Sequence, residues 1–286
     1  MSPDLSKYLG NEYIATDISY PYVQTVRGET DPKHCGYFIP SSQLELAGWK
    51  GTQTTIAYTY NSGESETGLL LTAPRLVIAT ASPLGTFNRQ ETLKEKSLVI
   101  VGEWDKSHKQ NPNYGNFQIY LILFLNEQNR PLHEIPFRLT AKGAHQGTLS
   151  QQWQKSCRDV MRHLAAATGK TYRPPNEKLM SLFVFQPIFQ RRPVGKIQKS
   201  PACCVDDYVK PTPANWMEFF LGVQDDLAEL AIAMLSPQPL KNLCLPTTVD
   251  EVVDLEPPEL APAIPEIVNN HRVFDEEIDA DERIPF

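Results

Sequence analysis

Two stretches of the chain mix cations with aromatic rings. Trp104-Asp105-Lys106-Ser107-His108-Lys109-Gln110-Asn111-Pro112-Asn113-Tyr114-Gly115-Asn116-Phe117 carries two lysines, one acid and three aromatic residues, with His108 between the lysines. Phe189-Gln190-Arg191-Arg192-Pro193-Val194-Gly195-Lys196-Ile197-Gln198-Lys199 carries four positive charges and no acid. Trp49-Lys50 repeats the pairing on a small scale, and Tyr58 and Tyr60 add rings at alternate positions. Cations neutralise phosphates and flat rings stack bases, which is how single strands are held with little sequence preference. The candidate contacts are therefore the rings of Trp49, Tyr58, Tyr60, Trp104, Tyr114 and Phe117, with His108, and the cations Lys50, Lys106, Lys109, Arg191, Arg192, Lys196 and Lys199. The same residues also fit plainer roles: a solvated polar hairpin, a basic loop and barrel-core tyrosines.

Catalytic patterns fail by spacing. Ala167-Thr168-Gly169-Lys170-Thr171 imitates the end of a phosphate-binding loop, but Leu164 stands where the first glycine must be, and Arg173-Pro174-Pro175 follows where a helix is needed. Neither Gly-x-Ser-x-Gly nor Gly-x-Gly-x-x-Gly occurs. Asp206-Asp207 and Asp225-Asp226 read as loop and helix-surface acids rather than metal ligands. The five cysteines (Cys35, Cys157, Cys203, Cys204 and Cys244) are odd in number and lack a Cys-x-x-Cys spacing, so neither a disulfide framework nor a zinc site is expected, and a reducing cytoplasm is. No enzyme, cofactor or metal is expected. With no apolar run near the ~18 residues of a membrane helix, and no signal peptide at the N-terminus, no membrane partner is expected either.

The charge is divided unevenly. From Pro246 to Phe286 twelve acids face only Arg272 and Arg283, a net −10, so the first 245 residues carry +3 although the whole chain is −7. Such asymmetry fits a nucleic-acid partner and a charged arm, and equally an acidic tail that keeps the chain soluble. Glu256-Pro257-Pro258-Glu259-Leu260-Ala261-Pro262-Ala263-Ile264-Pro265 reads as an extended, disordered spacer. The chain then closes Asp275-Glu276-Glu277-Ile278-Asp279-Ala280-Asp281-Glu282-Arg283-Ile284-Pro285-Phe286.

That ending resembles the C-terminal tip of bacterial single-stranded DNA-binding proteins, which close with acids followed by Ile or Leu, Pro and Phe. Asp279, Asp281 and Glu282 stand where that family has its acids, and Ile284, Pro285 and Phe286 match its apolar hook. Arg283 departs from the pattern, since an acid is usual before the isoleucine, and leaves open whether the tip is weakened or retargeted. The resemblance covers about a dozen residues and implies partner binding: a ring and a carboxylate on one residue fit a pocket with a basic rim.

The elements that must carry these residues are mostly strands. Alternation over Thr54–Tyr60 puts Ile56, Tyr58 and Tyr60 on one face. Further strands are expected near Tyr22–Val26 and over 68–72, 75–80, 98–102, 117–125, 134–140 and 182–185, with 117–125 central because it is apolar on both faces. Two helices are expected: 147–167, with Leu149, Trp153, Val160, Met161 and Leu164 at helical spacing, and 214–235, with a broad stripe from Trp216 to Leu235. The fold expected is mainly β with added helices (α+β), an OB-like β-barrel elaborated by two helices and followed by a disordered acidic tail.

The organisation expected is an N-terminal arm (1–30), the nucleic-acid-binding domain (31–236), a proline-rich acidic linker (237–274) and a partner-binding tip (275–286). The function expected is a cytoplasmic single-stranded DNA-binding protein. It coats exposed strands in replication, recombination or repair and recruits replication or repair proteins through the tip; homo-oligomerisation is left open. The alternatives are an accessory subunit of a DNA-processing complex with no strand affinity of its own and, behind it, a nuclease.

Overall fold

Residues 20–60, 62–95, 97–195 and 199–223 are described by a computed structural model. In chain order they form β1 (Tyr22–Arg27), β2 (Cys35–Pro40), α1 (Ser41–Ala47), β3 (Ile56–Thr59), β4 (Ser65–Leu71), β5 (Arg75–Ala81), β6 (Gly85–Asn88), α2 (Arg89–Glu95), β7 (Ile100–Glu103), β8 (Tyr114–Leu125), β9 (Phe137–Lys142), α3 (Gly143–Ala167), α4 (Glu177–Met180), β10 (Val184–Phe185), β11 (Pro187–Val194) and β12 (Ser200–Tyr208). The chain is mainly β with added helices. Among the described residues, ten strands make one mixed sheet and β11 and β12 a second. No helix among them is long and apolar enough to cross a membrane.

The longest apolar run becomes the spine of the large sheet. Residues 119–125 of β8 are all buried, with β5 antiparallel along one edge and β9 along the other. From β10 the strand path runs β5, β8, β9, β1, β2, β4 and β3, while β6 and β7 branch from the first half of β8. The β1–β9 pair is parallel, and no pairing among the described residues joins β10 to β3, so the path is open. β10 runs through Gln186 straight into β11, and the β11–β12 hairpin packs against the sheet.

The main core forms there. Tyr37, Ile39, Phe124, Phe137 and Leu139 meet Leu149 of α3 and Val205 and Tyr208 of β12. Each such side chain contributes roughly 1.5–3 kcal/mol on burial. α3 lies across the sheet on Leu149, Cys157 and Val160, and Gly169 (φ 63°) stands just past its end. Its first turn is locked by polar contacts: Asn116 Nδ2 donates to Gln146 Oε1 at 2.7 Å, and Gln146 Nε2 donates to Gln118 Oε1 at 3.1 Å.

Several elements differ from expectation. The stretch 189–199, expected as a basic loop, is β strand as far as Val194. Phe189 and Arg191 alternate inward with Gln190 and Arg192 outward, and the charges mask this period of two. Where a helix was expected from Ala214, short 3-10 turns occupy Trp216–Phe219 and Leu221–Val223, and the rest of the stripe lies outside the described residues. The backbone is used for tertiary bonding instead: Leu221 N–H donates to Leu182 O at 2.8 Å, and Phe220 bridges Phe183. Tertiary pairing has overridden the local period. β2, β6 and β12 were not foreseen, and β1, placed in the N-terminal arm, lies inside the sheet between β9 and β2. The linker and the tip lie outside the described residues.

Candidate nucleic-acid interface

The segment between β7 and β8 is a short flap held by backbone hydrogen bonds. Trp104 N–H donates to Leu84 O at 2.8 Å, carrying the β6–β7 pairing one residue further. Asp105 then caps a 3-10 helix (Lys106–Gln110): its Oδ1 accepts from Ser107 N–H at 2.8 Å, while Asp105 N–H donates to His108 Nδ1 at 3.3 Å. The bonds from Ser107 hold the Asp105 carboxyl below its ordinary range. An asparagine turn closes the flap, with Asn113 N–H on Asn111 Oδ1 at 3.0 Å and Tyr114 N–H on Asn111 O at 3.1 Å.

Three groups pin the flap to the sheet. Thr86 Oγ1 lies 2.9 Å from His108 Nδ1, the His108 ring meets Tyr114 edge-on with centroids 5.4 Å apart, and Arg89 Nε donates to Tyr114 O at 3.1 Å. What the flap offers outward is a ring and two cations: Trp104 is 36% exposed, and Lys106 and Lys109 are exposed beside it. A pinned backbone bearing a ring and cations can stack a base and pair phosphates at little ordering cost. Thr86 and Arg89 were absent from the sequence candidates, because the bonds that make them matter join residues far apart in sequence.

Other candidates do not gather there. Trp49 stacks on His133 with centroids 5.9 Å apart and packs against Phe124 and Phe137, so it is a core ring. Tyr58 and Tyr60 are buried with Val26 and Phe38; the Tyr58 hydroxyl donates to Glu29, and that of Tyr60 to Gln24 Oε1 at 2.9 Å. Phe117 is fully buried with Phe87, Ile119 and Leu121. Tyr58, Tyr60 and Phe117 are therefore buried away from any base, a correction to their reading as stacking residues, and Trp49 is half-buried with its ring packed on the core. For Tyr58, Tyr60 and Phe117, alternation in and beside the strands was the signal of inward-facing positions.

The remaining cations are spread out. Lys50 Nζ lies 3.1 Å from Glu134 Oε1, at the surface. Arg191 Nη1 donates to Gly28 O at 2.9 Å, tying β11 to the β1–β2 connection, and Arg192 pairs with Asp206 across the hairpin. Arg191 thus ties β11 to the body and Arg192, half exposed, is paired across the hairpin, which corrects the picture of a free basic loop. Lys199 is exposed near the hairpin tip, apart from the flap, and Lys196 lies outside the described residues. Of the paired acids, Asp206 is engaged by Arg192 and Asp207 by Lys210 at 3.2 Å, while Asp225 and Asp226 lie outside the described residues. No three His, Cys, Asp or Glu side chains come together among the described residues in a way that could hold a metal ion.

A family model described as a domain of unknown function (DUF5895) matches residues 18–244, which takes in both sheets and the flap. The chain belongs to this family. The match stops where the acidic segment begins. The chain is also similar to "Uncharacterized protein 254L" of Invertebrate iridescent virus 6, at 30% identity over 166 residues, which are 54% of this chain and 48% of that protein. The chain thus spans about half the length of this curated relative. No solved structure matches.

Proposed function

We propose that the protein binds single-stranded DNA in the cytoplasm, coating exposed strands during replication, recombination or repair, and that its acidic tip recruits partner proteins. The observation that carries this reading is the flap: an exposed Trp104 beside Lys106 and Lys109, on a backbone fixed by Asp105, His108 and Thr86. An OB-like reading of the body is supported by its strand order. β5, β8 and β9 form an antiparallel run, α3 follows, and β10 returns to β5 before the β11–β12 hairpin. A partly open five-stranded Greek-key barrel is the architecture in which strand-binding loops are commonly mounted. The +3 body and the acidic ending Ile284-Pro285-Phe286 add support from the sequence.

The test is a titration of the full-length protein with labelled oligo-dT, oligo-rU and duplex DNA at several salt concentrations. The reading expects binding to single strands of mixed sequence, weaker duplex binding, and an affinity that falls linearly with log salt. Absence of single-strand binding would leave the accessory-subunit reading, and metal-dependent loss of the probe would bring in the nuclease.

A further inference from the structure

A further concentration of positive charge lies outside the flap, along α3 and the segment after it. Between Lys155 and Lys178 six lysines and arginines face two acids, a local +4 that exceeds the +3 of the first 245 residues. One of those acids, Asp159, is already engaged by Arg162 Nη1 at 2.6 Å and by the Tyr208 hydroxyl.

The fold turns this segment back along α3. Lys170 N–H donates to Ala165 O at 2.9 Å, and the Arg162 guanidinium stands over the Tyr172 ring, 5.8 Å from its centroid. Two clefts open beside this crossing. The first, of ≈ 610 Å³, lies between α3, the end of β5 and the Pro174–Glu177 stretch, with Trp153, Arg158, Pro174 and Pro175 in its walls and Glu177 as its one acid. The second, of ≈ 490 Å³, follows the last turns of α3 and is lined by Lys170 and Arg173. Arg158 and Arg173 are exposed, and no acid among the described residues pairs with either.

The base of the flap borders this face. Trp104 is bonded through its N–H to Leu84 O, and the neighbouring Pro83 and Ser82 form a wall of the first cleft. We propose that the two clefts form one track for single-stranded nucleic acid leaving the flap, with bases against Trp153, Pro174 and Pro175 and phosphates on Arg158 and Arg173. The proposal rests on the single-strand reading above and extends it to a second contact region. Positive charge suits a strand and an acidic peptide alike; the flat apolar walls of Trp153, Pro174 and Pro175 and the nearness of the flap favour a strand as the occupant.

The test uses full-length protein and labelled oligo-dT of about 6 and about 25 nucleotides, one near the short end of the ~4–16 nucleotides that one such domain covers and one well beyond it. The variants are Trp104→Ala, the double change Arg158→Ala/Arg173→Ala, and a control that removes two exposed cations elsewhere, Lys33→Ala/Lys94→Ala. Thermal melts check that each remains folded. The track predicts that the Arg158/Arg173 variant binds the long oligonucleotide about tenfold more weakly, with a salt slope shallower by about 1.4, while the short one is held as before. Trp104→Ala should weaken both lengths, and the Lys33/Lys94 control should change neither. If the Arg158/Arg173 variant matches wild type on the long oligonucleotide while Trp104→Ala is weakened, the flap stands and the track is overturned, leaving that face to a protein partner. An equal loss in the control would also overturn it, because net charge alone would then account for the effect. If wild type binds neither length, the single-strand reading fails and the track fails with it.

Discussion

Gly85 and Phe117 face each other across the β6–β8 ladder, and the Phe117 ring fills the space that a side chain on the glycine would need. Two residues along, the pair is reversed, with Phe87 covering Gly115. Aromatic cover of strand glycines pins register, and here it fixes the platform from which the flap springs. Gly85→Ala should force Phe117 from its place and cost about 1–3 kcal/mol. A melt followed by circular dichroism checks this, and an unchanged midpoint would mean that the ring yields freely.

Thr86→Val keeps the shape of a buried residue and removes the hydroxyl 2.9 Å from His108 Nδ1. The loss of one such bond is worth about 1 kcal/mol, enough to weaken strand binding up to roughly fivefold if the flap loosens. Hydrogen exchange should quicken over 105–111 and stay slow in β5 and β8. Faster exchange throughout the sheet would show that Thr86 supports the fold rather than the flap.

Two buried histidines set an acid limit on stability. His133 Nε2 accepts from Phe124 N–H at 2.8 Å and its Nδ1 lies 2.8 Å from Ile135 O, so only the neutral ring fits. His145 sits between Cys203 O, 3.1 Å from Nδ1, and the Tyr37 hydroxyl, 3.4 Å from Nε2. Burial pushes both pKa values down to about 4, from an ordinary 6.5. Between those values the unfolded chain binds more protons than the folded one, so stability rises with pH across that window. It is complete above about pH 6.5 and is lost progressively towards pH 4, by at most roughly 3 kcal/mol for each ring. Urea unfolding at pH 7.5, 6, 5 and 4.5 should show that decline, and His133→Gln should flatten part of it. A flat profile would contradict neutral, buried rings.

Much of the fold could be read from local pattern, and its limits have physical causes. β8 declared itself by an apolar run on both faces, and α3 by a stripe from Leu149 to Val160. β2 did not, because all six of its residues are buried and no alternation marks a run that ends in Pro40. β11 hid because Arg191 occupies an inward position and its guanidinium bonds to Gly28 O, 163 residues away in sequence. At the site, pairing rings with cations found Trp104, Lys106 and Lys109, yet it could not separate Trp104 from Trp49. Only its long-range contacts with Phe124, His133 and Phe137 seat Trp49 against the core.

The acidic ending should compete with strands for the body. Tethered to the body within one chain, a −10 segment is expected to act at an effective concentration on the order of millimolar. Cutting after Ser236 should raise the association rate with oligo-dT most at low salt, and the gain should fade towards 0.1 M and above, where the Debye length is about 10 Å. Stopped-flow mixing measures it, and equal rates at low salt would leave the tail as a partner handle alone.

The most direct measurement is the affinity of full-length wild type and Trp104→Ala for oligo-dT at one fixed salt concentration, with melts confirming equal stability. Trp104 is the one flap ring exposed by about a third, and one stacked base is worth about 1–3 kcal/mol. The account predicts that wild type binds and that the variant binds roughly 5- to 150-fold more weakly, with its salt slope unchanged because no cation is lost. Equal affinity of the two proteins, or no binding by wild type, would contradict it.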